Sequence, residues 1–248
     1  MKERPSFPAK LDTGSKTTKP KTVPTNTATG FGLDSSTVRA RMVQKLAQQG
    51  IEDAGVLEAM GRIERHRFVD SALANQAYED TSLPIGLGQT ISKPNVVARM
   101  IALLREAPGV QGQMMGRVLE IGTGCGYQAA ILGQVSKEVY SIERIQGLYE
   151  KAKENLRPMR FPNIHLILGD GMLGFAQGAP YTGIISAAGG ENIPTAWLDQ
   201  LAVGGRLVAP VENEQGSQVL VVIDKFENSY QRSFLEPVNF VPLRSGVA

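Results

Sequence analysis

The first half of the chain carries hydrophobic residues at helical spacing. Three sets recur every three to four residues: Val38, Met42 and Leu46; Val56, Leu57, Met60 and Ile63; and Val97, Met100, Ile101 and Leu104. Ser35 or Ser36 is placed to cap the first helix and Asp53 the second, and Gly50 supplies a stop between them. Residues 83–94 (LPIGLGQTISKP) contain two glycines and two prolines, so we predict a loop before the third helix.

From Arg117 onward the pattern alternates between short apolar runs and amphipathic segments. The runs predict strands at 118–121, 139–142, 165–168, 183–187, 206–211, 219–223 and 234–243. The segments predict helices at 127–135, 146–157 and 195–201. This alternation indicates an α/β fold with a doubly wound, mostly parallel sheet and an N-terminal helical subdomain. The last two strands have no helix between them, so we expect an antiparallel edge.

Composition divides the chain unevenly. Residues 1–30 are rich in Lys, Thr and Pro and hold six basic against two acidic residues, a net charge of +4 that leaves −2 for the rest. Such a segment buries too little apolar surface to offset its ordering entropy, so we expect a flexible basic tail over 1–34. The length of 248 residues suits one domain over 35–248, with a helical part and active-site loop at 35–105 and an α/β core at 117–248.

Charge and cysteine content narrow the class of protein. The body carries a slight negative charge, which argues against a nucleic-acid binder. Cys125 is the only cysteine, so no intrachain disulfide can form, as is usual in reducing compartments. There is neither an apolar signal segment nor a run of roughly 20 apolar residues. We therefore expect a cytoplasmic protein without membrane partners.

A glycine loop is the strongest local signal. Gly122, Gly124 and Gly126 follow directly on the predicted strand 118–121 and open a helix, where glycines let a ligand approach the main chain. A dinucleotide fingerprint, G-x-G-x-x-G, would need a third glycine at Tyr127. The observed G-x-G-x-G spacing is similar to that of S-adenosylmethionine methyltransferases. A purely structural turn is the alternative.

Acidic residues end the next two predicted strands. Glu143 can accept hydrogen bonds from ribose hydroxyls, as the acid at this position does in doubly wound folds. Asp170, between two glycines, could accept from the exocyclic amino group of adenine. Alone, Glu143 could be a solvated surface residue and Asp170 part of a turn. Three signals at three successive strand ends together favour a nucleoside-type cofactor.

Several segments jointly match one family. They are LPIGLGQTISKP (83–94), VLEIGTGCGYQAAIL (118–132), VYSIERI (139–145), GDG (169–171), GGRLVAPV (204–211) and FVPL (240–243). From about Thr37 to Val247 the chain resembles the bacterial protein-L-isoaspartate O-methyltransferases. The resemblance implies a Rossmann-like methyltransferase fold and S-adenosyl-L-methionine as cofactor. It implies methyl transfer to the free carboxylate of L-isoaspartyl residues in damaged proteins and peptides, which starts their repair.

The resemblance also implies roles for residues. Ser92 matches the serine assigned to the active site, and Thr90 is its companion hydroxyl; Ser92 could instead cap the helix after Pro94. The implied cofactor-binding residues are Gln89, Ile91, Glu120, Gly122, Gly124, Gly126, Glu143, Arg144, Asp170 and Gly171. No metal is implied, and we expect a monomer. The acceptor carboxylate is ionised at neutral pH, so no general base is required, and we expect His66 and His165 to be structural or exposed.

The sequence departs from the family at three places. Leu87 stands between two glycines where relatives have a polar or aromatic residue, and we expect an altered substrate rim. Cys125 replaces the commoner serine of the loop. Thr182 replaces an aspartate, and together with the nearby SAAGGEN run (186–192) it is expected near the cleft. The alternatives are a methyltransferase of the same fold with another carboxylate acceptor, or a cofactor-binding member without activity.

Overall fold

The computed structural model describes residues 36–248. It contains six α-helices in this range: α1 (Ser36–Gln48), α2 (Ala54–Arg62), α3 (Pro94–Arg105), α4 (Tyr127–Val135), α5 (Gln146–Leu156) and α6 (Thr195–Gln200). Its strands are β1 (Leu83–Gly86), β2 (Gln89–Ile91), β3 (Met115–Ile121), β4 (Ser136–Glu143), β5 (Ile164–Leu168), β6 (Tyr181–Ser186), β7 (Ala188–Gly189), β8 (Leu201–Glu212), β9 (Gln218–Lys225), β10 (Tyr230–Pro237) and β11 (Val241–Pro242). The tail and the Ser35 cap predicted from sequence lie outside the described residues.

The central sheet confirms the predicted fold class. Its seven strands follow the order β10-β9-β8-β6-β3-β4-β5, and the five from β8 to β5 are parallel. Helices α4, α5 and α6 make the crossovers between parallel strands. All five carboxyl ends therefore lie along one edge of the sheet, where open α/β sheets bind ligands.

The N-terminal helices form where the hydrophobic pattern predicts them. Asp53 caps α2 by accepting a hydrogen bond from the Val56 N–H, and Gly50 takes a positive φ of 94° after α1. Their buried side chains join one hydrophobic cluster with residues of the sheet and with Phe68 and Tyr127, whose rings pack edge to face at 5.4 Å. The boundary between helical part and α/β core stays a prediction.

The predicted loop at 83–94 is wrong in part, because its centre is a β-hairpin. Strands β1 and β2 pair antiparallel, and Pro84 lies opposite Thr90. The turn needs left-handed backbone at Leu87, with φ of 53°, and at the following glycine. The strands are only four and three residues long, and β1 contains a proline. The sequence therefore lacks the alternation of apolar and polar residues from which strands are predicted.

The C-terminal strands differ from the prediction in two ways. The strand expected over 234–243 is two strands, since β10 ends at Pro237 and β11 pairs in parallel with β7 instead of continuing the main sheet. The antiparallel edge is confirmed, but it is wider than expected, because β9 also runs antiparallel to β8. A tight connection over 213–217 replaces a crossover helix there.

A buried arginine ties α3 to the N-terminal helices. The guanidinium of Arg105, 7% exposed, donates from Nε to an Asp53 carboxylate oxygen at 2.8 Å. It also donates to the carbonyls of Gln113 and Gly112, so its charge is fully hydrogen-bonded. The other Asp53 oxygen caps α2, and one carboxylate thus fixes two elements.

We predict that Arg105→Met lowers the free energy of unfolding by about 3–5 kcal/mol, because it leaves the Asp53 carboxylate without its cation in a buried setting. Urea denaturation measures the change. The exposed Arg62, paired with Glu58 at 2.6 Å, provides the control: Arg62→Met should cost about 0.5 kcal/mol or less. Equal losses in both variants would contradict the anchoring role.

Candidate active site

A cleft of about 410 Å³ opens at the carboxyl edge of the parallel strands. Seven of the residues predicted from sequence line this main cleft: Gln89, Thr90, Gly122, Gly124, Glu143, Arg144 and Gly171. The hairpin residues Ile85 and Leu87 form one wall, and residues 241–244 form the opposite one. The other predicted site residues, Ile91, Ser92, Glu120, Gly126 and Asp170, do not line this cleft.

The glycine loop brings main chain rather than side chains to the cleft. Gly122 and Gly124 have φ angles of 89° and 57°, which favour glycine. A Cβ on Gly124 would lie 3.2 Å from the side chain of Ile85, so a side chain there would press on the cleft wall. Gly126, with φ of 90°, is the N-cap of α4 and packs against Leu156 instead of the cleft.

Glu143 holds the glycine loop to the end of β4. Its carboxylate is 4% exposed and accepts from the Gly124 N–H at 2.8 Å through Oε2 and from the Ile145 N–H at 2.9 Å through Oε1. Each carboxylate oxygen can accept more than one hydrogen bond. Glu143 can therefore support the loop and still accept from a ligand in the cleft.

Asp170 is engaged by the protein itself. Its Oδ1 accepts from the Met172 N–H at 2.8 Å, as in the turn considered from sequence, and its Oδ2 accepts from the Gly246 N–H at 2.7 Å. The same end of the chain binds Arg144, whose carbonyl accepts from the Ala248 N–H at 2.8 Å. Residues 245–248 thus cover the side of the site where the adenine and ribose contacts were expected.

Glu120 lies fully buried behind the loop. Ser141 donates a hydrogen bond to its Oε2, and the Ser141 hydroxyl also bonds the Thr123 hydroxyl at 2.6 Å. The other carboxylate oxygen of Glu120, Oε1, has no hydrogen-bond partner within the described residues. Burial raises the pKa of Glu120 to about 8, with a smaller contribution from the charge of Glu143. Glu120 is therefore largely protonated at neutral pH.

A second cleft, of about 400 Å³, adjoins the main one. This side cleft is lined by Ser82, Thr90, Ser92, Lys93, Val96, Ala187 and residues 237–241. Thr90, Ala187 and Val241 line both clefts, so the two spaces meet there. A small cavity of about 40 Å³ lies next to that junction, and Thr90 and Ala187 line it too. Its other lining residues include Ile91, Ser92, Thr123, Cys125 and Gln128.

Ser92 does not cap the following helix. The N-cap of α3 is Lys93, whose side chain makes no capping bond, and the first turn is capped instead by the Asp80 carboxylate, which accepts from the Asn95 N–H at 3.0 Å. Ser92 is partly buried and lines both the side cleft and the small cavity. Its hydroxyl has no hydrogen-bond partner in residues 36–248, so it is available to a bound molecule.

Two residues that support the clefts escaped the sequence analysis. Gln218 accepts from the Phe240 N–H at 2.7 Å and donates to the Phe240 carbonyl at 3.2 Å, which fixes the outer wall of the side cleft. Lys151 donates to the Ile85 carbonyl at 2.7 Å and steadies the hairpin. Both are polar residues whose partners are distant in sequence, and no motif marks them.

The three departures from the family pattern fall in different places. Leu87 lines the main cleft rather than the side cleft, and Cys125 is buried beside the small cavity. The expectation that Thr182 lies near the cleft is wrong, because it is the second residue of β6, at the opposite end from the carboxyl edge, and its hydroxyl donates to the Arg117 carbonyl at 3.0 Å. In the SAAGGEN run, Ala187 and Ala188 do reach the clefts.

The histidines lie outside both clefts. His66 bonds the Tyr78 hydroxyl at 2.7 Å, and the exposed His165 stacks on Tyr140 at 4.8 Å between ring centroids. Within residues 36–248, no three His, Cys, Asp or Glu side chains cluster so as to hold a metal ion. In the same range no helix is both long and apolar enough to cross a membrane.

Comparison with known proteins assigns the architecture to a family of enzymes. The family model described as protein-L-isoaspartate(D-aspartate) O-methyltransferase matches residues 37–248. The chain is similar to the protein-L-isoaspartate O-methyltransferase of Leptothrix cholodnii, with 60% identity over 221 residues, 88% of this chain and 77% of that protein. The enzyme of the same name from Burkholderia lata is 55% identical over 222 residues, 89% of this chain and 70% of that protein.

Solved structures agree with these matches. A protein-L-isoaspartate O-methyltransferase structure superposes with a TM-score of 0.75 and 26% identity, over 84% of this chain and 67% of that chain. A Plasmodium falciparum protein assigned the same activity, in complex with S-adenosyl-L-homocysteine, gives a TM-score of 0.72 over 83% of this chain and 98% of that chain. At 24% identity the second likeness shows the fold.

We predict that Glu120 makes stability pH-dependent. Its folded pKa lies above the unfolded value of 4.5, so the folded state retains a proton and loses stability as the pH rises from 4.5 to about 8. Denaturation of wild type and Glu120→Gln across this range should show wild type losing on the order of a few kcal/mol more than the variant. If the free energy of unfolding changed with pH equally in the two proteins, the claim that Glu120 is buried in its neutral form would be contradicted.

Proposed function

The chain belongs to the protein-L-isoaspartate(D-aspartate) O-methyltransferase family, and on that premise we propose how its two clefts divide the reaction. The enzyme transfers a methyl group from S-adenosylmethionine to the free carboxylate of L-isoaspartyl residues. We assign S-adenosylmethionine to the main cleft and the damaged peptide to the side cleft. One observation carries this assignment: the clefts meet at Thr90, Ala187 and Val241, with the free Ser92 hydroxyl on the acceptor side.

The main cleft suits S-adenosylmethionine in its size and its groups. Its volume of about 410 Å³ falls in the range of small-molecule sites, roughly 300–1,000 Å³. The glycine loop exposes main chain where a Cβ would intrude, and Glu143 keeps acceptor capacity for ribose hydroxyls. Gln89, Gly122 and Gly124 would line the cofactor, with Arg144 and Gly171 beside its nucleoside part.

Asp170 can accept a hydrogen bond from the adenine amino group only if one of its present hydrogen bonds is shared or replaced. Both of its oxygens already accept main-chain hydrogen bonds, one of them from Gly246 near the end of the chain. An adenine amino group would share an oxygen with Gly246 or replace it. Ile91, Glu120 and Gly126 would act from behind the cleft, through packing and the loop, rather than by contact.

Catalysis of this methyl transfer depends mainly on how the enzyme positions the two reactants. S-adenosylmethionine supplies a methyl group on a sulfonium, which leaves as a neutral thioether. The acceptor carboxylate has an ordinary pKa of about 4 and is already ionised at neutral pH, so the enzyme needs no general base. The hydroxyls of Ser92 and Thr90 orient the carboxylate at the junction of the clefts, and such orientation can contribute several kcal/mol to catalysis.

We also propose the setting in which the enzyme works. Both clefts are formed within one chain, which supports action as a monomer on damaged proteins and peptides. The lone cysteine, Cys125, is buried with a free thiol, which suits the cytoplasm. The slight negative charge of the folded body supports the absence of a nucleic-acid partner.

We expect Glu143→Ala to weaken binding of S-adenosylhomocysteine by roughly 10- to 100-fold, since hydrogen bonds to a charged acceptor contribute about 1.5–3 kcal/mol. The substitution also frees the Gly124 N–H of the loop. Isothermal titration calorimetry measures the affinity. Glu138→Ala, on the same strand but paired with Arg117 outside both clefts, is the control; an affinity equal to that of wild type in Glu143→Ala would remove Glu143 from the cofactor site.

Ser92→Ala should lower turnover of an isoaspartyl peptide roughly 10- to 100-fold, corresponding to about 1.5–3 kcal/mol of lost orientation. Activity should not vanish, because the carboxylate needs no base. The melting temperature should stay near that of wild type, because Ser92 makes no capping bond. The assay measures base-labile methanol from an isoaspartyl peptide and its aspartyl twin. Ser71→Ala is the control, because Ser71 is exposed and lines neither cleft. Normal turnover by Ser92→Ala would end the catalytic assignment.

A further inference from the structure

The side cleft contains a single charged side chain. Of its lining residues, Lys93 is cationic, and the others are hydroxyl, amide or apolar residues: Ser82, Thr90, Ser92, Val96, Ala187, Pro237, Val238, Asn239, Phe240 and Val241. Lys93 is exposed, and it lines neither the main cleft nor the small cavity at the junction. Its charge is therefore presented on the outer part of the acceptor site, beyond Ser92.

The amine of Lys93 forms no ion pair or hydrogen bond within residues 36–248. Two acidic residues next to this part of the chain have other partners: Asp80 accepts from the Asn95 N–H at 3.0 Å, and Glu236, beside the lining residue Pro237, pairs with Arg99 at 3.3 Å. A cation without a partner at the mouth of a binding cleft favours ligands that bring a negative charge.

We infer that Lys93 is a specificity-determining residue that binds a carboxylate next to the reacting isoaspartyl residue in the acceptor peptide. The inference rests on the proposed division of the two clefts. The reacting carboxylate itself belongs at the junction, beside Thr90 and Ser92, next to the small cavity that Lys93 does not line. A cation held against that carboxylate would also reduce its nucleophilicity, whereas a cation against a neighbouring acidic residue binds the peptide without this penalty.

The preference should be modest and electrostatic. Exposed ion pairs contribute little and are weakened by salt, so a two- to fivefold gain in kcat/KM for an acidic neighbour is the expected scale, about what exposed pairs yield. The gain should appear mainly in KM, because Lys93 does not touch the reacting atoms. Acidic neighbours would thus be favoured in the proteins that this enzyme repairs.

The test compares isoaspartyl peptides that differ only in charge beside the reacting residue. Two matched pairs place either Glu or Gln directly before or directly after the isoaspartyl residue, and kcat and KM are measured at low and high salt. Wild type is compared with Lys93→Met, Lys93→Arg and Lys137→Met. Lys137 is an exposed lysine at the start of β4, at the opposite end of the strand from the clefts.

The inference predicts a Glu-over-Gln ratio of about two to five in at least one pair for wild type, Lys93→Arg and Lys137→Met. The ratio should fall to about one in Lys93→Met and in wild type at high salt. An unchanged ratio in Lys93→Met, or an equal loss in Lys137→Met, would overturn it. If wild type methylates neither peptide of a pair, the assignment of the acceptor cleft fails and the inference fails with it. If wild type methylates both equally at low salt, only the role of Lys93 fails.

Discussion

The hydrogen bond between the Gly124 N–H and the Glu143 carboxylate is the contact on which the main cleft depends. It joins the loop after β3 to the end of β4, and the second carboxylate oxygen fixes the start of α5 through Ile145. Because the two strands are parallel neighbours, one short side chain can span their ends. The loop could not come this close with side chains in place, since Gly122 and Gly124 adopt left-handed backbone. Sheet topology, glycine chemistry and one carboxylate together hold open a cleft walled by main chain.

The second cleft is assembled from parts that are distant in sequence. The β1–β2 hairpin contributes Thr90 and the segment up to Ser92, while residues 237–241 come from beyond the antiparallel edge. Gln218 fixes this far wall by bonding the N–H and the carbonyl of Phe240, as a neighbouring strand would. A site for a peptide needs such an open, backbone-rich wall, because damage can arise in many sequences and side-chain recognition would exclude most of them.

The sequence predicted what is encoded locally and missed what depends on distant partners. The parallel strands, the glycine loop and Glu143 follow from short periodic patterns and from glycine spacing, and the structure has them in place. The sequence pattern predicts a loop where the hairpin lies, because Pro84 and two glycines favour a turn and interrupt the alternation typical of paired strands. The bonds of Gly246 to Asp170 and of Phe240 to Gln218 join residues 76 and 22 positions apart, and neither has a motif. Thr182 stands at the start of the predicted fourth strand, and the amino end of a parallel strand lies away from the carboxyl edge, so the expectation that it lies near the cleft did not follow from that position.

Two glutamates on adjacent strands show how surroundings give like groups different roles. Glu143 accepts two main-chain N–H bonds, one from the glycine loop and one from the start of α5. Glu120 receives the Ser141 hydroxyl and keeps one oxygen unpartnered in a buried setting, so burial and the neighbouring charge raise its pKa to about 8. The neutral form of Glu120 avoids a buried charge behind the glycine loop, and this acid anchors Thr123 through Ser141. Glu143 supplies the carboxylate that lines the cleft.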